Sequence, residues 1–151
     1  MTEYHETEAD RRRERAVAGA LAREWRCVLV PTPLHSRFDY WVERDGLRLG
    51  AVEIKGRLSQ GPHDYGGWLY LNDDKRAALL DGCGDHGAAI HAWHFPPAVY
   101  YLDVRNLPPG SIPDYAGRPD WRDDRGARPA HRIHVRHMRR LLVATWEEST
   151  Q

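Results

Sequence analysis

Glu53, Ile54 and Lys55 set an acid and a base two positions apart. On an extended strand alternate side chains share a face, so Glu53 and Lys55 project together while Val52 and Ile54 turn to the other side. Upstream stands Asp39, and between it and Glu53 the pair Asp45-Gly46 is a strong hairpin signal. Such a hairpin brings Asp39 near Glu53 if the register permits. Two carboxylates with an ammonium group beside them suit a hard cation. Mg²⁺ takes near-octahedral oxygen ligands and keeps several waters, so Asp39, Glu53 and the backbone carbonyl of Ile54 form a sufficient set, in which Mn²⁺ would substitute. The chemistry this serves is phosphodiester hydrolysis, which needs an activated water, charge relief at phosphorus and help for the leaving oxygen. Lys55 would orient the water or offset developing negative charge.

The tripeptide alone is a weak signal. With nine glutamates in 151 positions, one of the two lysines has Glu two places before it with odds of about one in eight. An alternating Glu and Lys on an exposed strand is otherwise an ion pair worth about 0–1 kcal/mol. The weight therefore rests on the elements around it.

Thr7 with Asp10 reads as a capping box, and Val17, Ala20, Leu21 and Trp25 recur at helical spacing, which predicts an amphipathic helix over Thr7 to Glu24. Cys27 to Val30 reads as a strand closed by Pro31 and Pro33, and Phe38 to Glu43 with Leu47 to Lys55 as an antiparallel hairpin. Gly56 to Gly67 has the content of a polar loop. Asn72 to Leu80 reads as a second helix, with Asn72 as cap and Ala77 and Leu80 facing inward. Ala88 to Trp93 and Val99 to Val104 are predicted strands joined through Phe95, Pro96 and Pro97. Residues 105–130 lack any period and read as a long loop or insertion. Ile133 to Val135 suits a late strand and Met138 to Val143 a short helix. The order indicates one α/β domain over residues 1–151, with a central mixed sheet flanked by helices.

These residues and their order resemble the PD-(D/E)xK nuclease superfamily, which includes restriction enzymes, Holliday-junction resolvases and small phage nucleases. The resemblance covers Arg11 to Asp103. In that family a helix bearing a glutamate precedes a hairpin carrying Asp and then (D/E)xK, followed by a second helix and a further strand. It implies a restriction-endonuclease-like core and a Mg²⁺-dependent endodeoxyribonuclease, of phage or prophage type, acting in the cytoplasm of a bacterial host. Glu14 matches the helical acid, with Glu8 or Glu24 in its place if the helix is rotated differently; Asp39 matches the hairpin acid, and Glu53 with Lys55 the terminal pair. Asp39 follows Phe38 where the family often has proline. The polar loop with Tyr65 and Tyr70 that leads to Lys75 also looks like the small phage-type members. Cutting both strands would call for two sites, and hence for a homodimer.

Composition narrows the rest. Basic and acidic residues balance at 22 each, so no bulk field draws nucleic acid and any attraction must be local. Arg57, Lys75, Arg11 and Arg12 are the candidate phosphate contacts, the last two within a run that also holds Arg13 and Arg15. Arg136, Arg139 and Arg140 form a second basic group, and a solvated helix face explains either group equally well. His131, His134 and His137 recur every third residue, yet strand-like Ile133 and Val135 would scatter them, which argues against zinc. Trp25, Trp41 and Trp93 occupy core-like positions, leaving Trp68 or Trp121 to stack on a base. Cys27 and Cys83 make neither a disulfide framework nor a zinc site, and no long apolar run predicts a membrane span. A second function class stays open: a noncatalytic nucleic-acid binder, or a protein that blocks a host factor, on the same scaffold.

Overall fold

The structure is a computed structural model and describes residues 7–56, 61–116 and 128–143. Helix α1 (Glu8–Trp25) begins with the expected capping box: the Thr7 hydroxyl accepts from the Asp10 N–H at 3.0 Å, and the Asp10 carboxylate accepts from the Thr7 N–H at 3.1 Å. Strands β1 (Val28–Pro31), β2 (Tyr40–Arg44) and β3 (Leu47–Gly56) follow as an antiparallel meander. Asp45 and Gly46 turn the β2–β3 hairpin with φ of 52° and 78°. Positive φ at both central residues is the type I′ geometry that matches the twist of the flanking strands.

Strand β4 (Trp68–Asn72) and helix α2 (Asp73–Cys83) then cross over to β5 (Ala88–Phe95), which pairs parallel with β3. The chain returns antiparallel through β6 (Ala98–Asp103). Strands β7 (Ile112–Ala116), β8 (Arg128–His134) and β9 (Arg139–Leu142) complete the described strands. The result is an α/β architecture with a mixed six-stranded sheet ordered β1-β2-β3-β5-β6-β9 and a three-stranded sheet ordered β4-β8-β7.

The large sheet buries both faces. On one side Val17 and Leu21 of α1 pack on Val52, Ile54, Ala92 and Val99. On the other, Leu79 of α2 and Leu69, Leu71 and Ile133 of the small sheet pack on Ala51 and Trp93. Strand β3 therefore alternates as expected: Val52 and Ile54 enter the α1 core, which leaves Glu53 and Lys55 on the α2 side.

Several expectations need correction. Strand β2 starts at Tyr40, so Asp39 stands in a bend just before it rather than within it. Ala78, Leu79 and Cys83 are the buried residues of α2, while Ala77 is exposed and Leu80 half-buried, and Asn72, which also ends β4, caps that helix without a side-chain hydrogen bond. Met138 to Val143 is not helical; pairing with β6 makes Arg139–Leu142 an edge strand. The stretch 105–130 is not a continuous loop, since β7 lies inside it and β8 opens at Arg128; residues 117–127, with Trp121, lie outside the described residues. Among the described residues no helix is long and apolar enough to cross a membrane.

Candidate active site

Strand β2 begins at Tyr40, which pairs with Val52 one residue short of Glu53 on β3, and the bend before it brings Asp39 beside the stretch that carries Glu53 and Lys55. Its backbone is clamped on both sides: the Asp39 N–H donates to the Val52 carbonyl at 3.0 Å, and its own carbonyl accepts from the Thr32 N–H at 2.9 Å and the Thr32 hydroxyl at 3.0 Å. The side chain is held as well, because Asp39 Oδ2 accepts from the Ile54 N–H at 2.8 Å. Within a strand one residue's N–H and C=O leave on the same side. The Ile54 carbonyl is thereby directed toward the side where β2 has stopped and Asp39 sits.

Glu53 reaches the same place from the α2 face and Glu14 from the α1 face; Asp39 is within hydrogen-bonding reach of both. The Tyr40 hydroxyl donates to Glu14 Oε2 at 3.5 Å. Glu14 is thus the helical acid at the site. Glu8 is instead exposed among Arg11, Arg12 and Arg15, and Glu24 is exposed near the far end of α1. Lys75 comes from α2, with its ammonium 3.3 Å from Glu53 Oε2 and donating to the Arg37 carbonyl at 2.7 Å. That second bond ties α2 to the segment carrying Asp39. Lys55 lines the same cavity, which encloses about 460 Å³.

Burial and close approach shift the ionisation of Asp39 and Glu53. Burial raises the Asp39 carboxyl, against the pull of the Ile54 N–H bond. Glu53 rises to about 8, first from burial and then from the Asp39 charge, with Lys75 opposing. The Tyr40 phenol is raised by burial and by the Glu14 and Asp39 charges. A proton shared between Asp39 and Glu53, held mainly on Glu53, is the consequence at neutral pH.

The donor set fits a hard divalent ion in one respect and limits it in another. Two buried carboxylates that must otherwise keep a proton are a natural pair for a cation, and the Ile54 carbonyl adds a third oxygen. Among the described residues, however, no three His, Cys, Asp or Glu side chains are arranged to hold a metal by themselves. The remaining ligand positions would fall to water and substrate oxygens, as Mg²⁺ sites commonly allow.

The cavity is also lined by Asp10 and Arg13 of α1, read from the sequence only as a cap partner and as one of a basic run, and by His91 and His94 of β5, which suit ordinary sheet positions. His94 is 6% exposed, and burial with the Arg13 charge lowers its pKa to about 4. Their signal was faint, since the meeting of α1 with β5 is a tertiary event. Other candidates lie elsewhere. Arg11 and Arg12 are exposed around Glu8, outside the cavity lining, and Arg57 lies outside the described residues. His131 binds Asp73 at 2.9 Å, His134 accepts from the Arg136 N–H, and His137 meets the Arg136 side chain at 3.3 Å. The three histidines are thus engaged separately. Trp68, half-buried, meets His134 edge-to-face at 5.2 Å between centroids, with the Arg132 guanidinium 5.5 Å from its ring.

No protein-family model, no curated protein and no solved structure matches the chain.

Proposed function

We propose that the protein is a divalent-metal-dependent nuclease of the PD-(D/E)xK type, built on a restriction-endonuclease-like core and acting on DNA. The observation that carries this reading is the convergence of Asp39, Glu53 and Lys55 on one cavity, with the Asp39 carboxylate locked to the backbone between the other two. The alternation of β3, the acid delivered by the preceding hairpin and Glu14 on the first helix support it further.

In this reading Asp39 and Glu53, with the Ile54 carbonyl, would hold Mg²⁺ or Mn²⁺. The bound ion supplies an activated water and charge relief at phosphorus. Lys55, which lines the same cavity, would orient the attacking water and offset charge at the phosphoryl oxygens. Asp39 contributes rigidity as well as charge, because its bond to Ile54 removes the torsional freedom a ligand would otherwise lose on binding. Glu14, which accepts from the Tyr40 hydroxyl, would add its negative charge beside the two ligands. Lys75 fixes Glu53 and the segment before β2. Two copies of the chain would place one site on each strand of a duplex.

The test is a cleavage panel of duplex, junction, flap and single-stranded DNA and of RNA, with Mg²⁺, Mn²⁺ or EDTA. Metal-dependent cutting that Glu53→Ala and Lys55→Ala abolish in a folded protein is the expected result. Variants that both cut like the wild type overturn the assignment. A protein that never cuts yet binds a partner tightly is the noncatalytic alternative.

A further inference from the structure

An acidic cluster repels the very phosphates that a nuclease must admit. The chain carries no net charge to compensate, so the attraction has to be built into the cavity wall. The basic run at the start of α1 contains several arginines, and the fold treats one of them differently. The side chains of Arg11, Arg12 and Arg15 are 46%, 49% and 60% exposed, whereas Arg13 is 21% exposed and lines the cavity beside the acids.

Arg13 is also held. Its Nη2 donates to Asp10 Oδ1 at 2.6 Å, while the other oxygen of the same carboxylate accepts from the Thr7 N–H to close the helix cap. The cap thus anchors Asp10, and Asp10 anchors Arg13. A guanidinium carries five donors in a rigid fork, so one carboxylate oxygen orients that fork without exhausting it. His94 lies on the same wall with an uncharged ring at neutral pH. The adjacent residue in sequence, Glu14, faces the acid cluster. One turn of α1 therefore presents an acid to the reacting centre and, next to it, an oriented cation.

We propose that Arg13 forms an anion subsite that takes a substrate phosphate next to the scissile one. The inference rests on reading the cavity as a phosphodiesterase site. The ligand is a phosphate oxygen pair, gripped in the bidentate manner that arginine favours and lysine cannot reproduce. Its source is either an internal phosphodiester or a terminal phosphomonoester.

The experiment measures binding of a labelled DNA duplex by the full chain in Ca²⁺, and KM for its cleavage in Mg²⁺. It compares wild type, Arg13→Gln and Arg13→Lys. Loss of a charge-assisted hydrogen bond pair predicts that Arg13→Gln weakens binding about ten-fold or more, with Arg13→Lys recovering part of it. A single neutral methylphosphonate at the flanking position should weaken the wild type to the same degree and leave Arg13→Gln unchanged. Equal losses with and without a 5′-phosphate identify an internal phosphate; a loss confined to the 5′-phosphorylated duplex identifies the terminal one. Should Arg13→Gln fail to fold for want of the Asp10 pair, Arg13→Lys and the methylphosphonate arm on the wild type carry the test. Unchanged binding and KM in the variants, with cleavage intact, overturn the subsite alone. Weakened binding by Arg13→Gln in a protein that never cuts overturns the nuclease reading and keeps the subsite. A wild type that binds no duplex overturns both.

Discussion

Asp39 Oδ2 and the Ile54 N–H are 2.8 Å apart, a side-chain bond that completes the β3 edge where β2 has run out. The carboxylate substitutes for a strand partner and faces Glu53 and Glu14 at the same time. Its hydrogen bond and its charge can be separated. Asparagine keeps an oxygen to accept from Ile54 and removes the repulsion among the acids. Asp39→Asn should match or exceed the wild type in thermal stability in EDTA. Asp39→Ala leaves the Ile54 N–H without this acceptor, at a cost of about 1–3 kcal/mol. Both should lose Mg²⁺-dependent cleavage. Melts in EDTA decide the matter: if Asp39→Asn falls as far as Asp39→Ala, the bond to Ile54 is not what stabilises this edge.

The shared proton of the acid pair predicts an unusual stability profile. Glu53 keeps its proton in the fold to about 8 but releases it near its ordinary 4.5 when unfolded. The stability it contributes is complete below 4.5 and is lost as pH rises toward 8. His94 runs the other way: lowered from 6.5 to about 4, it contributes fully above 6.5 and loses that as pH falls through 4. The two slopes oppose each other between about 4.5 and 6.5 and leave Glu53 acting alone above that. In EDTA the melting temperature should hold roughly level across the lower window and fall from pH 6.5 to 8. Glu53→Gln should remove the fall.

Metal binding must expel that proton if Asp39 and Glu53 are the ligands. Titration calorimetry with Mg²⁺ at pH 7, in buffers of different ionisation enthalpy, should report net proton release, and Asp39→Asn should suppress it. Heats that do not vary with the buffer would remove the proton-sharing pair from the metal site.

The two lysines, Lys55 and Lys75, should separate by readout. Lys75 is bonded to Glu53 and its charge lowers the Glu53 pKa, so Lys75→Met should displace the alkaline loss of stability to higher pH. Lys55→Met should leave the fold intact and reduce cleavage on the order of 10²-fold or more, as expected for a group acting on the water. An active Lys55→Met with an inactive Lys75→Met would reverse the two roles.

What could be read beforehand follows from the range of the forces involved. The cap of α1, the Asp45-Gly46 turn and the alternation of Val52, Glu53, Ile54 and Lys55 are local, and each appears as expected. Of the small sheet only the end of β8, at Ile133 and His134, was legible. Strand β7 carries Pro113 and β8 carries Pro129, and they are strands through tertiary pairing, β7 with β8 and β8 also with β4. Arg139 to Leu142 fits a helical turn as well as a strand until β6 offers an edge. The site divides the same way: Glu53 and Lys55 share a strand, whereas Arg13 and His94 meet only when α1 packs across β5.

The placement of Asp39 also depends on a glycine far from it in sequence. Phe38 packs edgewise on Trp41 at 5.7 Å between centroids, and its ring fills the space that a Cβ on Gly82 of α2 would occupy. Alanine in a helix is ordinarily about 1 kcal/mol better than glycine. Here that gain is set against a collision with a stiff ring, for which overpacking costs of about 1–3 kcal/mol are typical. The collision should win: Gly82→Ala is expected to destabilise the protein, to move the segment bearing Asp39 and to lower Mg²⁺ affinity. Removing the ring reverses the sign. In a Phe38→Ala background the same Gly82→Ala should stabilise by about 0.5–1 kcal/mol, giving a double-mutant cycle with a large coupling energy. Chemical denaturation of the four proteins measures it, and additive effects would show that Phe38 and Gly82 do not jointly set the position of Asp39.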